Sequence, residues 1–322
     1  MQLRLSTTLA LGLLGGASSS SSATTCPGSI DVSIDGAATP FAIVRNNHSA
    51  PGGTFFYSSP VDVDEAANVV SPGMYDAVLD GKRNGGRAYL ATSCEDGAYD
   101  HAEYAALPLL DKTFSYTVDL SAAGCGCNAA LYLVSMAQNT GPSTCGDYYC
   151  DANAVCGVRC SEIDIQEGNA YSWHTTAHVA ADGDGVGGGY GGGGDGWSGP
   201  RDFTAAEYSP GGSLIDTSRP FGVNTSFPTS SGGDLAAIKT TLAQDGRAID
   251  MSIDAYSYSG ANGFDALTAS LAAGMTPVVS YWCSTDMLWM DGTGQDGLGP
   301  CAVDTPADCG DSVTFSAMSI SA

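Results

Sequence analysis

Short runs of alternating apolar and polar residues, separated by Gly, Asp and Pro, recur along the chain. Ile30–Ile34, Phe41–Val44, Thr54–Tyr57, Phe114–Leu120, Ala130–Met136 and Val278–Tyr281 read as strands on this pattern. In Phe114-Ser-Tyr-Thr-Val-Asp-Leu120 the alternation is strict, which predicts one buried face. Phe264, Leu267 and Leu271 instead fall at helical spacing, predicting a short amphipathic helix over 264–275 ended by Gly274. The stretch from Asp234 to Gln244 is ambiguous, because its Ala and Leu content favours helix while Asp245-Gly246 is a hairpin signal. With 43 glycines and few helical patterns, the chain is expected to be all-β, built as a sandwich.

One run carries candidate chemistry. In Cys160-Ser-Glu-Ile-Asp-Ile-Gln-Glu-Gly-Asn169, Glu162 and Asp164 alternate with isoleucines and share one face of a strand. Glu167 lies five residues after Glu162, so strict alternation sends it to the opposite face. A β-bulge between Asp164 and Glu167 restores it. The constellation then suits a retaining glycosidase, in which two carboxyl groups flank one bond. An exposed acidic strand in an acidic protein is the competing reading.

Composition narrows the partners. The chain carries 11 Lys and Arg against 35 Asp and Glu, for a net charge of −24. Nucleic acid and anionic membranes repel such a chain, so a neutral substrate such as a polysaccharide is expected. The start has one arginine, an apolar run from Leu9 to Leu14 and small residues from Ala17 to Ala23. This describes a signal peptide over 1–23, too short to span a bilayer and followed by one domain over 24–322. The protein is therefore expected to be secreted and extracellular. All 11 cysteines follow that leader, which predicts up to five disulfides and one thiol left over. A zinc site is the alternative for the cluster Cys125 to Cys160, and the connectivity is open. Asn47-His-Ser49 and Asn224-Thr-Ser226 are glycosylation sequons. The glycine-rich stretch 183–196 lacks the lysine of a phosphate loop and the regular aspartate spacing of a calcium loop, so it reads as a surface loop. His174 and His178 stand four residues apart without an obvious third ligand, and no metal or other cofactor is expected.

Several segments, in order, resemble glycoside hydrolase family 7, the cellulases that include cellobiohydrolases and endoglucanases. They are Asn128 with Ala130-Leu-Tyr-Leu-Val-Ser-Met136, Tyr149-Cys-Asp151, the acidic run 160–169, Thr176-Ala-His178 and Trp197 with Arg201. Tyr208-Ser-Pro-Gly211, Ile215-Asp-Thr217, Gly274-Met275, Ser280-Tyr-Trp282, Met287-Leu-Trp-Met-Asp291 and Val313-Thr-Phe-Ser316 continue the series. The resemblance implies a concanavalin A-like jelly-roll β-sandwich with a substrate groove on its concave face. It implies Glu162 as nucleophile, Glu167 as acid/base and Asp164 as the residue holding the nucleophile's geometry. Tyr132, Tyr149, Asp151, His178 and Arg201 would bind sugar hydroxyls or position the nucleophile, and Trp282 and Trp289 would stack on glucose rings. The implied partner is a β-1,4-glucan cleaved by double displacement; a monomer is expected, with no carbohydrate-binding module visible after the last predicted strand.

The chain departs from the family in informative places. Between Asp151 and Cys160 it has a tight connection where the family carries several tens of residues. Gln166 replaces a typical tryptophan, Ala180 and Asp195 replace cysteines, and residues up to about Lys82 match poorly. Short loops predict an open cleft and internal attack on the glucan. Two alternatives stay open: a non-catalytic carbohydrate-binding protein on the same fold, and a retaining hydrolase of another neutral β-glucan, such as mixed-linkage glucan or laminarin.

Overall fold

Strands form where alternation is cleanest, and most of them join one hydrogen-bonded ladder. The computed structural model describes residues 24–49, 56–58, 60–79, 82–182, 203–292 and 299–322. The expected leader, the glycine-rich stretch from 183, Trp197 and Arg201 lie outside these residues. The main path of the ladder comprises β1 (Gly28–Ile34), β2 (Ala37–Arg45), β3 (Arg87–Ala91), β4 (Thr113–Asp119), β5 (Cys127–Val134) and β6 (Glu162–Gly168). It continues with β7 (Trp173–His178), β8 (Phe221–Ser226), β9 (Ile238–Gln244), β10 (Arg247–Ile253), β11 (Thr276–Ser284) and β12 (Thr314–Ser321). Their spatial order is β7-β6-β5-β11-β3-β2-β1-β12-β4-β8-β9-β10. Neighbours are antiparallel throughout, except for the parallel pair β1 and β12.

The ladder turns back on itself into two layers. Tyr116 of β4 donates its hydroxyl to Gln166 Oε1 of β6 at 3.0 Å, and Phe221 of β8 packs 6.0 Å from Trp173 of β7, centroid to centroid. In β4, Phe114, Tyr116 and Val118 are the buried positions, as strict alternation predicted. Ile163 and Ile165 of β6 meet them in the core. The expected all-β sandwich is therefore the fold adopted. A second cluster, which includes Tyr89, Tyr132, Tyr149, Val278 and the Cys150 and Cys160 sulfurs, lies on the other face of β3, β5 and β11. That face carries the cleft.

Local signals hold in detail. The helix α1 (Gly263–Ala273) buries Phe264, Leu267 and Leu271. Asn262 caps its start by accepting from Phe264 N at 3.1 Å, and Gly274 ends it at φ 96°. Asp245 (φ 51°) and Gly246 (φ 76°) link β9 to β10, so the hairpin wins over the helical content of the preceding segment. Buried positions in β9 alternate, with Ile238, Thr240, Leu242 and Gln244 turned inward. The strand expected over Ala130–Met136 starts earlier, at Cys127, and stops at Val134, where the chain turns into a 3-10 turn at Met136–Gln138. Of Thr54–Tyr57, only the last two positions are described, in a strand Phe56–Ser58 that pairs with Asn47–Ser49.

Five disulfides form, which decides against zinc for the cysteine cluster. They join Cys26 to Cys94, Cys125 to Cys301, Cys127 to Cys309, Cys145 to Cys156 and Cys150 to Cys160. Cys283 is the thiol left over, buried beside Cys127 across β5 and β11. Asn224 of the second sequon sits in β8, half-buried between β4 and β9, while its neighbour Thr225 is buried.

Gly85 marks where the backbone approaches itself most closely beside the cleft. A Cβ there would collide with the Tyr281 carbonyl of β11, and backbone on both sides leaves no room to yield. Gly85→Ala is expected to destabilise by about 1–3 kcal/mol, as overpacking does, lowering Tm by several degrees. Gly141→Ala, whose Cβ would meet nothing nearer than the Asn139 side chain at 3.9 Å, should leave thermal melting unchanged.

Candidate active site

The acidic strand β6 lies one position from the edge of its layer, between β5 and β7. Its register against β7 pairs Glu162 with His178 and Asp164 with Thr176, then shifts so that Glu167 pairs with His174. Against β5 the same shift falls between Leu131, opposite Gln166, and Tyr132, opposite Asp164. Ile165 is thus the extra residue of a bulge, and Glu167 returns to the face of Glu162 and Asp164. The bulge is held from β7. Thr175 donates its hydroxyl to the Ile165 carbonyl at 2.9 Å and accepts from the Trp173 indole at 3.2 Å. Gln166 faces the core, where Nε2 donates to Ala129 O at 2.9 Å while Oε1 accepts from Tyr116. The residue that departs from the family's tryptophan therefore sits beneath the sheet and does not line the cleft.

All three carboxylates line a cleft of about 410 Å³ together with Tyr132, Tyr149, Asp151 and Trp282. Glu162 and Asp164 are buried and Glu167 is half-buried. Burial is the largest influence on each, and it raises all three above the ordinary carboxylate range. Asp164 further raises Glu162, and Glu167 and Asp151 further raise Asp164. His178 opposes the rise at Glu162 and Glu167, and each of these also has a hydrogen-bond donor. Glu162 Oε2 accepts from the Ala152 backbone N–H at 2.9 Å, and Glu167 Oε1 accepts from Asn128 Nδ2 at 2.9 Å. Asp164 Oδ2 lies 3.1 Å from His178 Nε2.

Tyr132 and Tyr149 share a hydrogen bond of 2.9 Å between their hydroxyls, and burial keeps both phenols protonated. Asp151 is buried at the cleft wall, with Oδ1 accepting from Val155 N at 2.9 Å. His178 stands behind the carboxylates, against Asp164, and outside the cleft lining. Its neighbour His174 engages the Met290 carbonyl at 2.8 Å, so the two histidines serve different partners. Trp282 lines the cleft half-buried, whereas Trp289 stands outside the lining, 40% exposed, with its ring edge-on to His174.

Two further polar residues belong to the site and were not singled out for it from sequence. Asn128 holds Glu167. Alternation along β5 places Asn128, Ala130 and Tyr132 on one face, which is the signal that identifies it. Arg87 lines the cleft with its guanidinium 3.5 Å over the Tyr149 ring, and Nε donates to Tyr89 Oη at 3.0 Å. Tyr89 donates in turn to Asp147 Oδ2 at 2.8 Å, and Asn46 Nδ2 bonds both, so the base of the cleft is a buried polar network.

Comparison with known proteins agrees with this arrangement. The sequence profile of glycosyl hydrolase family 7 matches residues 53–159. A probable endo-beta-1,4-glucanase celB of Neosartorya fischeri is 32% identical over 246 residues, covering 63% of this chain and 60% of the relative. Endoglucanase EG-1 of Hypocrea jecorina is 31% identical over 234 residues, covering 62% of this chain and 49% of the relative. The chain thus spans about half to three-fifths of these curated relatives' length. A family 7 cellobiohydrolase from Daphnia pulex superposes with a TM-score of 0.64 at 18% identity, over 93% of this chain and 97% of that one. An endoglucanase I complexed with cellobiose superposes with a TM-score of 0.64 at 21% identity, over the same shares. The sequence matches and the shared jelly-roll sandwich make this chain a member of glycosyl hydrolase family 7.

Proposed function

We propose that the protein is a secreted retaining glycoside hydrolase that cleaves β-1,4-glucosidic bonds in cellulose or a related neutral β-glucan. The observation that carries this reading is the bulge at Ile165, which lines up Glu162, Asp164 and Glu167 on the cleft face. In the first step the Glu162 carboxylate attacks the anomeric carbon while the Glu167 carboxylic acid gives its proton to the departing glycosidic oxygen. The Glu167 carboxylate then takes a proton from water, whose oxygen displaces Glu162 and restores both groups.

The surroundings suit these roles. Burial favours the protonated acid at Glu167; it also raises Glu162, where the Ala152 N–H and His178 oppose it and favour the anion. Among the described residues Asp164 has no backbone donor, and burial, Glu167 and Asp151 raise it, so it holds the proton shared within the cluster, facing His178. This leaves Glu162 free to ionise and attack. Tyr132, Tyr149, Asp151 and Trp282 contact the sugars from the cleft wall, and His178 acts through Asp164. Trp289 binds the glucan beyond the central cleft, and Arg201 is a further sugar contact. The tight connection 152–159 leaves the cleft open to internal segments of a chain. The protein works as a monomer.

Wild-type protein is expected to lower the viscosity of carboxymethyl cellulose rapidly. Glu162→Gln and Glu167→Gln should each reduce kcat by about 100-fold or more, with little change in thermal melting. On an aryl cellobioside with a highly acidic phenol, the Glu167 variant should form the glycosyl-enzyme readily and stall afterwards, because that leaving group needs no proton. If wild-type protein cleaves no β-glucan yet binds cello-oligosaccharides as tightly as both variants, the chain is a binding protein and the proposal is wrong.

The acid's titration gives a second test. The Asn128 amide stabilises ionised Glu167, so removing it raises the pKa of the acid further. Activity is lost on the alkaline side as Glu167 deprotonates. Asn128→Ala is therefore expected to move the alkaline limb of the kcat/KM profile to higher pH and leave the acid limb in place. An unshifted or downward-shifted alkaline limb would separate Glu167 from the proton donor's role.

A further inference from the structure

The connection between Tyr149 and Cys160 is short but heavily constrained. The disulfides Cys145–Cys156 and Cys150–Cys160 staple it twice within a few residues. Ala154 holds a left-handed backbone at φ 56°, where side chains are disfavoured. Gly157 N donates to Ala154 O at 2.8 Å, Asp151 N to Val158 O at 3.3 Å, and Cys160 N to Asp151 O at 3.1 Å. Arg159 reaches back to the Ala152 carbonyl. The Asp151 carboxylate fixes the remaining point by accepting from Val155 N at 2.9 Å.

What this frame presents is an apolar side chain held in water. Val155 is 68% exposed, yet it lines the same cleft as Glu162, Asp151 and Tyr149. Val303, the other strongly exposed valine among the described residues at 63%, does not line the cleft. A rigid, exposed valine at the mouth of a site leaves apolar surface for a ligand to cover. Its position along the cleft is also defined. Ala152, three residues earlier, bonds Glu162, whereas Asn128, the Cα partner of Trp282, bonds Glu167. Val155 and Trp282 therefore stand toward opposite carboxylates of the pair.

We propose that Val155 is a specificity-determining contact for the sugar on the nucleophile's side of the scissile bond, covering the C–H face of a neutral, unsubstituted pyranose ring. This rests on the retaining-hydrolase reading above. Asp151 is then a positioning residue for Val155, beyond any contact it makes with sugar.

The test is steady-state kinetics of Val155→Ser and Val155→Asp on cello-oligosaccharides, alongside thermal melting. Because Val155 is exposed, melting should not change. For Val155→Ser, KM should rise about 3- to 10-fold with kcat nearly constant, the signature of lost uniform binding. Val155→Asp should weaken neutral substrates further, by adding a charge that must be desolvated. The oligosaccharide made longer only on the aglycone side should show the same fold-change, since the contact lies across the bond from that extension. Unchanged KM in both variants, with wild type active, overturns the role of Val155 alone. An inactive wild type overturns the hydrolase reading itself, and oligosaccharide affinity measured by calorimetry then decides Val155 separately: equal affinity in wild type and Val155→Ser refutes the contact.

Discussion

One extra residue in an edge-proximal strand sets the geometry of the whole site. A strand shows one face every second residue, so five positions separate Glu162 from Glu167 with the wrong parity. Ile165 corrects it by bulging, and the cost of an interrupted ladder is offset locally. The Ile165 carbonyl finds the Thr175 hydroxyl, Thr175 in turn receives the Trp173 indole, and Gln166 bonds Ala129 and Tyr116. Polar groups that a bulge would strand in a core are thus paired, which matters because an unpaired buried polar group costs about 1–3 kcal/mol. Gln166 also ties the acidic strand to the opposite layer through Tyr116. The fold's two layers and the site's parity are linked at this residue.

Bringing three acids to one buried face creates the second constraint. Their charges repel and burial disfavours ionisation, so the cluster cannot carry three charges at neutral pH without strong compensation. The compensation is uneven: a backbone N–H and the His178 imidazole oppose the rise at Glu162, the Asn128 amide and the same imidazole oppose it at Glu167, and Asp164 lies 3.1 Å from that imidazole while Glu167 and Asp151 push it up. Uneven support separates the tendencies of chemically similar groups, as the proposed division into a nucleophile and an acid requires. The sign for stability follows. A carboxyl whose pKa rises on folding favours the native state while it is protonated, and that contribution is lost as pH climbs from the unfolded value toward the folded one. The same burial that tunes the acids therefore makes the site a source of instability at higher pH.

Much of this was legible in the chain. Strict alternation marked Phe114, Tyr116 and Val118 as inward-facing, helical spacing marked Phe264, Leu267 and Leu271, and the parity of 162, 164 and 167 called for the bulge. Pairwise facts between distant segments were not legible. Nothing local ties Cys125 to Cys301, or Asn128 to Glu167, because such contacts depend on which strands become neighbours. Asn128 was readable from the period of its own strand, once Tyr132 was placed in the cleft. Arg87 was harder, since a lone arginine in a strand gives no sign that tyrosines will enclose it. Val155 was unreadable for a different reason: its importance lies in being exposed, which only the stapled backbone around it reveals.

The proposed double displacement pairs Glu162 as nucleophile with Glu167 as acid, a pairing that in retaining enzymes generally needs carboxyl groups about 5–5.5 Å apart. Proton NMR of cello-oligosaccharide cleavage, followed from the first seconds, tests it most directly. Double displacement predicts that the new reducing end is released as the β-anomer and drifts toward equilibrium only by mutarotation. Initial release of the α-anomer would mean that water attacks directly from the opposite face, and would contradict the pairing of these two carboxylates.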